Sequence, residues 1–297
     1  MEQRALGATG LTTSILGFGG SELREPSLTE AETGTLLNGL LDAGITLVDT
    51  AHCYGDSEEK IGRHLASRRD EYVLVSKTGH KIDGVDDWTP EATRAGVELS
   101  LQRLRTDHLD VVLLHGPRPF GDAQLALLDE LDSLKQRGLV RFTGISNDGD
   151  NLAYGLATGR CDVIECSVNI ADQRNLRAIL PGVDEPAGVD DLPGVIAKRP
   201  IANATWRHAE RPVGSYQEDY WVRLQALAYE VDLPMDEFAL RFTAFAPGVS
   251  TSIVGTIKPE RFAHNVALVE KGPLPDDVLA HVADRWSQAD EGWDSLG

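Results

Sequence analysis

The chain has 297 residues, 41% of them apolar, enough to bury a large core in one domain or in two modest ones. Forty-seven acidic residues against 28 basic leave a formal charge of −19, which repels nucleic acid and anionic lipid at long range and argues against both as partners. No apolar run is long enough to span a bilayer, and MEQRALGATG lacks the pattern of a signal peptide, so a cytoplasmic location is expected. Three cysteines, odd in number and without CxxC spacing, read as reduced thiols.

In chain order, LGATGLTT (6–13) reads as a hairpin turn ahead of the main fold. Eight short β-branched runs follow: SILGFG (14–19), ITLVDT (45–50), YVLVSK (72–77), LDVVLLH (109–115), VRFTGIS (140–146), DVIECSV (162–168), GVIAKR (194–199) and SIVG (252–255). Their near-continuous hydrophobicity suits a parallel sheet covered on both faces. Helix signals lie between them. Ser27 with Glu30 reads as a capping box, with Leu36, Leu37, Leu40 and Leu41 on one face before Gly44. Asp56 with Glu59 opens the next helix, and Pro90 and Pro259 each stand at a first helical position. Leu128, Leu131 and Leu134 recur at helical spacing ahead of Gly138. GVDEPAGVDDLPG (182–194) is a loop in place of part of a helix, and 203–221 forms a long loop after the seventh strand. Eight alternations over about 250 residues favour a closed (β/α)8 TIM barrel over an open doubly wound sheet, and no linker divides the chain, so 1–297 is expected to form a single domain.

Reacting groups of such a barrel sit at the C-terminal ends of its strands. There the second run ends at Asp49, with Tyr54 just beyond, the third at Lys77, the fourth at His115 and the fifth at Ser146 and Asn147. Singly each has a structural explanation: a turn cap, a solvated strand end, a hydrogen-bonded core histidine. Jointly, four ionisable groups from three adjacent strands face one mouth. Such a set suits carbonyl reduction, in which the alkoxide left by an arriving hydride needs a proton. A phenol supplies it if its pKa falls from about 10 toward neutrality, a shift worth roughly 3 to 4 kcal/mol that a cation about 4 Å away can provide. Lys77 is the candidate cation, Asp49 its orienting partner, His115 the group that orients the substrate oxygen, and Tyr54 the acid.

These residues also match a known family: the chain resembles an aldo-keto reductase. DTAHCYGDSEE (49–59) is similar to that family's DTAxxYGxSE segment, SKTG (76–79) to its lysine motif, LSLQRLRTDHLDVVLLHGP (99–117) to its SLxRLxxDxxDxxxxH signature, and GISN (144–147) to its cofactor-amide segment. The resemblance spans roughly residues 4–270 and implies that Asp49, Tyr54, Lys77 and His115 form the family's catalytic tetrad. It implies a nicotinamide cofactor, usually NADPH, bound without a Gly-rich Rossmann loop. Ser146 and Asn147 match the pair that holds the carboxamide, and Gly19, Gly20, Arg199 and Ile201 fall among the cofactor contacts. Glu165 stands where the family commonly has glutamine; a carboxylate accepts an amide N–H but cannot donate. Lys198 stands at a position where an aromatic often stacks, and a cation there instead meets the pyrophosphate or the sheet edge. Thr256, Lys258, Arg261 and Asn265 fit the adenosine-phosphate pocket, while Gly255 replaces a lysine frequent among NADPH users. Arg261 favours NADPH, with NADH the alternative.

His52 is expected to line the mouth or face solvent, Cys53 to pack, and Trp88 and Trp206 to wall the substrate pocket, ahead of Tyr216, Tyr220, Trp221, Trp286 and Trp293. The expected substrate is a small carbonyl compound or the matching alcohol or sugar. Two other readings stay open: a cofactor-binding regulatory barrel with little turnover, and a metal-dependent hydrolase using Asp49, His52, His80 and His115. The latter lacks an HxH ligand pair, so no metal is assigned. Neither substrate identity nor oligomeric state is written in the sequence.

Overall fold

A computed structural model of the chain describes residues 1–24, 28–180 and 192–296. The N-terminal hairpin is present: β1 (Gln3–Ala5) pairs antiparallel with β2 (Thr12–Ser14). Leu6, just after β1, is fully buried among Leu47, Val73, Val163 and Ile196, residues at or near the starts of barrel strands. The hairpin thereby closes the end of the barrel opposite the strand C-termini. Gly7 allows this approach, because a Cβ there would lie 2.2 Å from Gly194 N.

The eight expected runs form a closed parallel barrel: β3 (Leu16–Gly19), β4 (Leu47–Asp49), β5 (Val73–Thr78), β6 (Leu109–His115), β7 (Val140–Ser146), β8 (Val163–Ser167), β9 (Gly194–Lys198) and β10 (Thr251–Val254), with β10 pairing back onto β3. The register sets Gly19 beside Asp49, and it sets His115, Ser146 and Glu165 abreast on β6, β7 and β8. Strand ends that are far apart in sequence thus share one rim.

Around the barrel lie α1 (Glu30–Asp42), α2 (Ser57–Leu65), α3 (Pro90–Leu104), α4 (Leu125–Gln136), α5 (Gly149–Ala157), α6 (Glu218–Leu227), α7 (Met235–Ala244), α8 (Pro259–Val269) and α9 (Asp276–Ala289). Leu36, Leu37, Leu40 and Leu41 of α1 and Leu128, Leu131 and Leu134 of α4 are buried in the layer between helices and barrel, each contributing about 1.5 to 3 kcal/mol by removal from water. Both prolines hold their expected first helical positions, and the Thr89 hydroxyl caps α3 by accepting the Ala92 N–H at 3.1 Å.

Two helix starts differ from expectation. The capping box of α1 is Thr29 with Glu32, two residues downstream of the pair read from sequence: Glu32 accepts the Thr29 N–H at 2.8 Å, and Glu30 instead pairs with Arg63. Ser27 lies outside the described residues. Asp56 does precede α2, yet its carboxylate pairs with Lys60 at 3.0 Å rather than capping an N–H. The loop expected over 182–194 falls mostly outside the described residues; before it, the chain makes only a short π-helical turn, Asn175–Ile179. The excursion after β9 contains a 3-10 segment, Ala202–Arg207, and runs to α6. No helix among the described residues is long and apolar enough to cross a membrane.

Candidate active site

Asp49 ends β4 and Lys77 lies one residue before the end of β5, so their side chains meet at the rim. Both are buried, and Lys77 Nζ sits 2.5 and 2.6 Å from the two Asp49 carboxylate oxygens while donating to Thr50 O at 3.2 Å. Tyr54 follows in the turn between β4 and α2, held by its N–H to Ala51 O and by Ser57 N–H to its own carbonyl. Lys77 Nζ lies 5.2 Å from the Tyr54 ring centre. His115, at the end of β6, meets the same ring edge-to-face at 5.6 Å. The four groups singled out from the strand ends are therefore gathered at one mouth.

A fifth group joins them. Glu165 Oε2 is 3.2 Å from Lys77 Nζ, and its other oxygen accepts the Ser146 hydroxyl at 2.9 Å. One buried ammonium thus serves two buried carboxylates. Burial lowers the lysine's pKa, but Asp49 and Glu165 together hold it well above its ordinary value, so Lys77 stays charged. Burial and the Glu165 charge push the Asp49 carboxyl well up in turn.

The expected drop of the Tyr54 pKa toward neutrality is not met. Lys77 does pull it down, by about 3 kcal/mol at 5.2 Å and an effective dielectric near 20. Burial of the phenol is the larger effect, and the Asp49 and Glu165 carboxylates add to it, so the net shift is upward. Tyr54 keeps its proton across the physiological range.

His115 is held neutral: burial, and then the Lys77 charge, depress its pKa well below the usual histidine value. Its Nδ1 faces Cys53 Sγ at 3.3 Å and His80 Nε2 at 3.2 Å. His52 neither lines the mouth nor faces solvent. It is buried, with Nδ1 2.7 Å from Lys77 O and Nε2 against His80 O, and it ties the end of β5 to the following loop. Trp88 stacks on His80 at 5.0 Å, behind the mouth. All three cysteines are free thiols.

A cavity of about 780 Å³ runs from Asp49, Tyr54 and His115 past Ser146, Glu165 and Lys198 to Thr256, Arg261 and Asn265. Gly19, Arg199, Ile201, Gly255 and Trp206 line it as well. Five of the catalytic, cofactor and first-choice substrate candidates lie off its walls, among them Lys77, which is held by Asp49 and Glu165. Gly20 packs behind β4, where a Cβ would meet Asp49 O and Ser57 Oγ at 2.9 Å. Asn147 is fully buried with both ends of its amide in use, donating to Pro117 O and accepting the Asp148 N–H. Lys258 precedes α8 without contributing to the wall, and Trp88 stays with His80. Lys198 lines the cavity but pairs with Asp148 at 2.9 Å, and Arg199 is held by Tyr220 Oη and Leu296 O with its guanidinium over Tyr216. Of the lower-ranked aromatics, Tyr216 lines the cavity, Trp221 donates to His208 O, and Trp286 and Trp293 meet edge-to-face.

From sequence, Cys53 is read only as packing and His80 only within a metal-hydrolase set, with nothing to bring them together beside His115; Asp236 and His264, which line the cavity as a 2.9 Å pair, are passed over. Cys53 lay within the quoted DTAHCYG stretch and His80 directly after SKTG, so position was the available signal.

The Aldo/keto reductase family model matches residues 15–286. The solved structure of aldo-keto reductase AKR11C1 from Bacillus halodurans, in its holo form, superposes with a TM-score of 0.77 at 25% identity, covering 96% of each chain. A D-threo-aldose 1-dehydrogenase from a Pseudomonas species is 26% identical over 88% of this chain and 91% of its own length. An NADH-specific methylglyoxal reductase from Escherichia coli is 26% identical over 90% of this chain and 93% of its own. A closed barrel carrying these groups on its rim and a family match over nearly the whole sequence lead to one conclusion: this chain belongs to the aldo-keto reductase family and is an oxidoreductase of that type.

Proposed function

We propose that the protein reduces the carbonyl of a small aldehyde or ketone, or oxidises the matching alcohol or sugar, with NADPH as cofactor and Tyr54 as general acid. The observation that carries the reading is the stack at the rim: Asp49 grips Lys77, Lys77 lies 5.2 Å from the Tyr54 ring centre, and neutral His115 meets that ring at the cavity wall. When bound, the nicotinamide supplies the hydride.

The chain's own residues do the rest. A general acid must hold its proton until the substrate oxygen becomes more basic than itself. Tyr54 meets that condition, because the raised phenol stays protonated while the developing alkoxide is a far stronger base than a phenolate. As the proton leaves, Lys77 stabilises the phenolate, and Asp49 fixes the ammonium. A neutral His115 donates an N–H to the carbonyl oxygen without competing for the Tyr54 proton.

Cofactor fit rests on the cavity, whose volume lies in the range of small-molecule sites. Ser146 and Glu165 stand where the carboxamide contacts are expected, and Arg261, with no ion-pair partner among the described residues, stands at the far end. Arg261 lies in the first turn of α8, and its planar guanidinium suits a phosphate. The same proposal treats 1–297 as one unit acting on a free small molecule in the cytoplasm. The test is absorbance loss from NADPH with a panel of aldehydes, ketones and sugars, absent in Tyr54→Phe; an unaffected rate removes Tyr54 from its role. A second reading, a cofactor-binding barrel with little turnover, draws on the second carboxylate at Lys77, and tight NADPH binding without turnover across the panel would favour it.

A further inference from the structure

Beside the carbonyl site stands a cluster that the reduction chemistry does not need in full. Cys53 Sγ, His80 Nε2 and His115 Nδ1 lie together, with all three atoms within 4.8 Å of one another. They come from the turn after β4, the loop after β5 and the end of β6, so the barrel closure itself brings them together. We propose that these three side chains form a binding site for Zn²⁺ or a similar borderline-soft divalent ion, and that its occupation arrests turnover.

Geometry carries the proposal. A tetrahedral zinc with bonds of about 2.3 Å to sulfur and about 2.05 Å to nitrogen sets its ligands roughly 3.6 Å apart for an S···N pair and roughly 3.4 Å for an N···N pair. The observed separations are 3.3 Å for Cys53 Sγ to His115 Nδ1 and 3.2 Å for His80 Nε2 to His115 Nδ1. Outward movements of a few tenths of an ångström bring these two pairs to the coordinated spacing, and Cys53 Sγ and His80 Nε2, within 4.8 Å of each other, need only close on the same ion. Donor type selects the ion: one thiolate and two imidazoles suit zinc or cobalt, whereas magnesium and calcium take oxygen ligands. The three residues are half-buried, so solvent reaches them, and three protein ligands leave a fourth position open. On binding, the Cys53 S–H bond breaks, a sulfur–metal bond forms and the proton leaves to solvent, with no change of oxidation state. Trp88 against His80 and the Tyr54 ring 5.6 Å from His115 wall the cluster on two sides.

Metal binding is independent of the proposed reductase reading, and only the arrest of turnover rests on it. With His115 coordinated through Nδ1 and an ion beside Tyr54, the substrate oxygen loses its place between them. The competing arrangement, in which His115 Nδ1 only accepts hydrogen bonds from Cys53 and His80, gives no metal affinity. The experiment uses the full chain without affinity-tag histidines, titrated with CoCl₂ under reducing conditions and then with ZnCl₂. The expected result is a thiolate-to-cobalt charge-transfer band saturating at one equivalent, displaced by zinc, and absent in Cys53→Ser. His80→Ala is expected to weaken binding about tenfold or more. Zinc should also halt NADPH oxidation, at concentrations raised about tenfold or more in both variants when each rate is normalised to its own metal-free value. No band at one equivalent, or a band that persists in Cys53→Ser, overturns the site. Cobalt binding with activity untouched by zinc overturns the arrest and leaves the site standing.

Discussion

Replacing Glu165 by glutamine tests the electrostatics of the rim most sharply. The Glu165 charge is one of the influences that hold the Tyr54 proton in place, and the substitution removes it. Glu165 lies 3.2 Å from Lys77 Nζ, which lies 5.2 Å from the Tyr54 ring centre, so the two spans laid end to end place the carboxylate within about 8 Å of that ring. At that separation and an effective dielectric near 20, its charge disfavours the phenolate by at least about 2 kcal/mol, or roughly 1.5 pKa units. Losing it makes Tyr54 a stronger acid. With proton transfer half complete in the transition state, each unit is worth roughly threefold in rate, so Glu165→Gln should turn over about five times faster. The glutamine amide also regains a donor for the carboxamide, so NADPH affinity should rise. The assay is single-turnover NADPH oxidation across pH 6 to 9. A slower variant with an unmoved pH profile would refute the reasoning, because Glu165 would then be supporting Lys77 rather than opposing Tyr54.

Arg261→Ala should weaken NADPH binding by about 1.5 to 3 kcal/mol, the worth of hydrogen bonds to a charged group, and leave NADH binding nearly unchanged. Cofactor fluorescence titration checks it, and equal losses for both nucleotides would contradict it. Asp172, buried beside the C-terminal segment and accepting the Leu296 N–H at 2.7 Å, has its carboxyl pushed up to about 6 by burial. In that window the folded state binds a proton that the unfolded state releases, so the contribution is fully present below about 3.8 and is lost as pH rises through about 6. Asp172→Asn should therefore gain on the parent by roughly 3 kcal/mol in urea unfolding between pH 4 and pH 7, and a gain that shrinks with rising pH would contradict it. Leu131→Ala, in the fully buried face of α4, should cost about 2 to 5 kcal/mol by the same measurement without changing cofactor affinity.

Local signals placed the eight strands because their apolar runs are short, β-branched and punctuated, and VRFTGIS and LDVVLLH match β7 and β6 residue for residue. That Asp49, Tyr54, Lys77 and His115 would share one rim was legible for a related reason: in a parallel barrel, all strand C-terminal ends lie on the same face. What sequence could not supply were contacts between elements that only closure brings together. Glu165 turned toward Lys77 because β5 and β8 face each other across a barrel, a relation with no local trace. Asn147 took its partners from Pro117 and Asp148, and His52 took both of its carbonyls from the β5 segment and its loop. The Tyr54 expectation counted one cation and omitted the burial that gathering the cluster imposes. The α1 cap slipped by two residues because Thr29 and Glu32 satisfy the same capping pattern as Ser27 and Glu30.

Proton delivery by Tyr54 is measured most directly by single-turnover reduction of a small aldehyde in Tyr54→Phe, with NADPH affinity determined on the same preparation. Losing the phenol proton should slow the step by about 10² to 10⁴ while cofactor affinity stays within a factor of two or so. A rate within a few-fold of the parent, at unchanged affinity, would mean that another group or water delivers the proton, and the role assigned to Lys77 beneath the ring would fall with it.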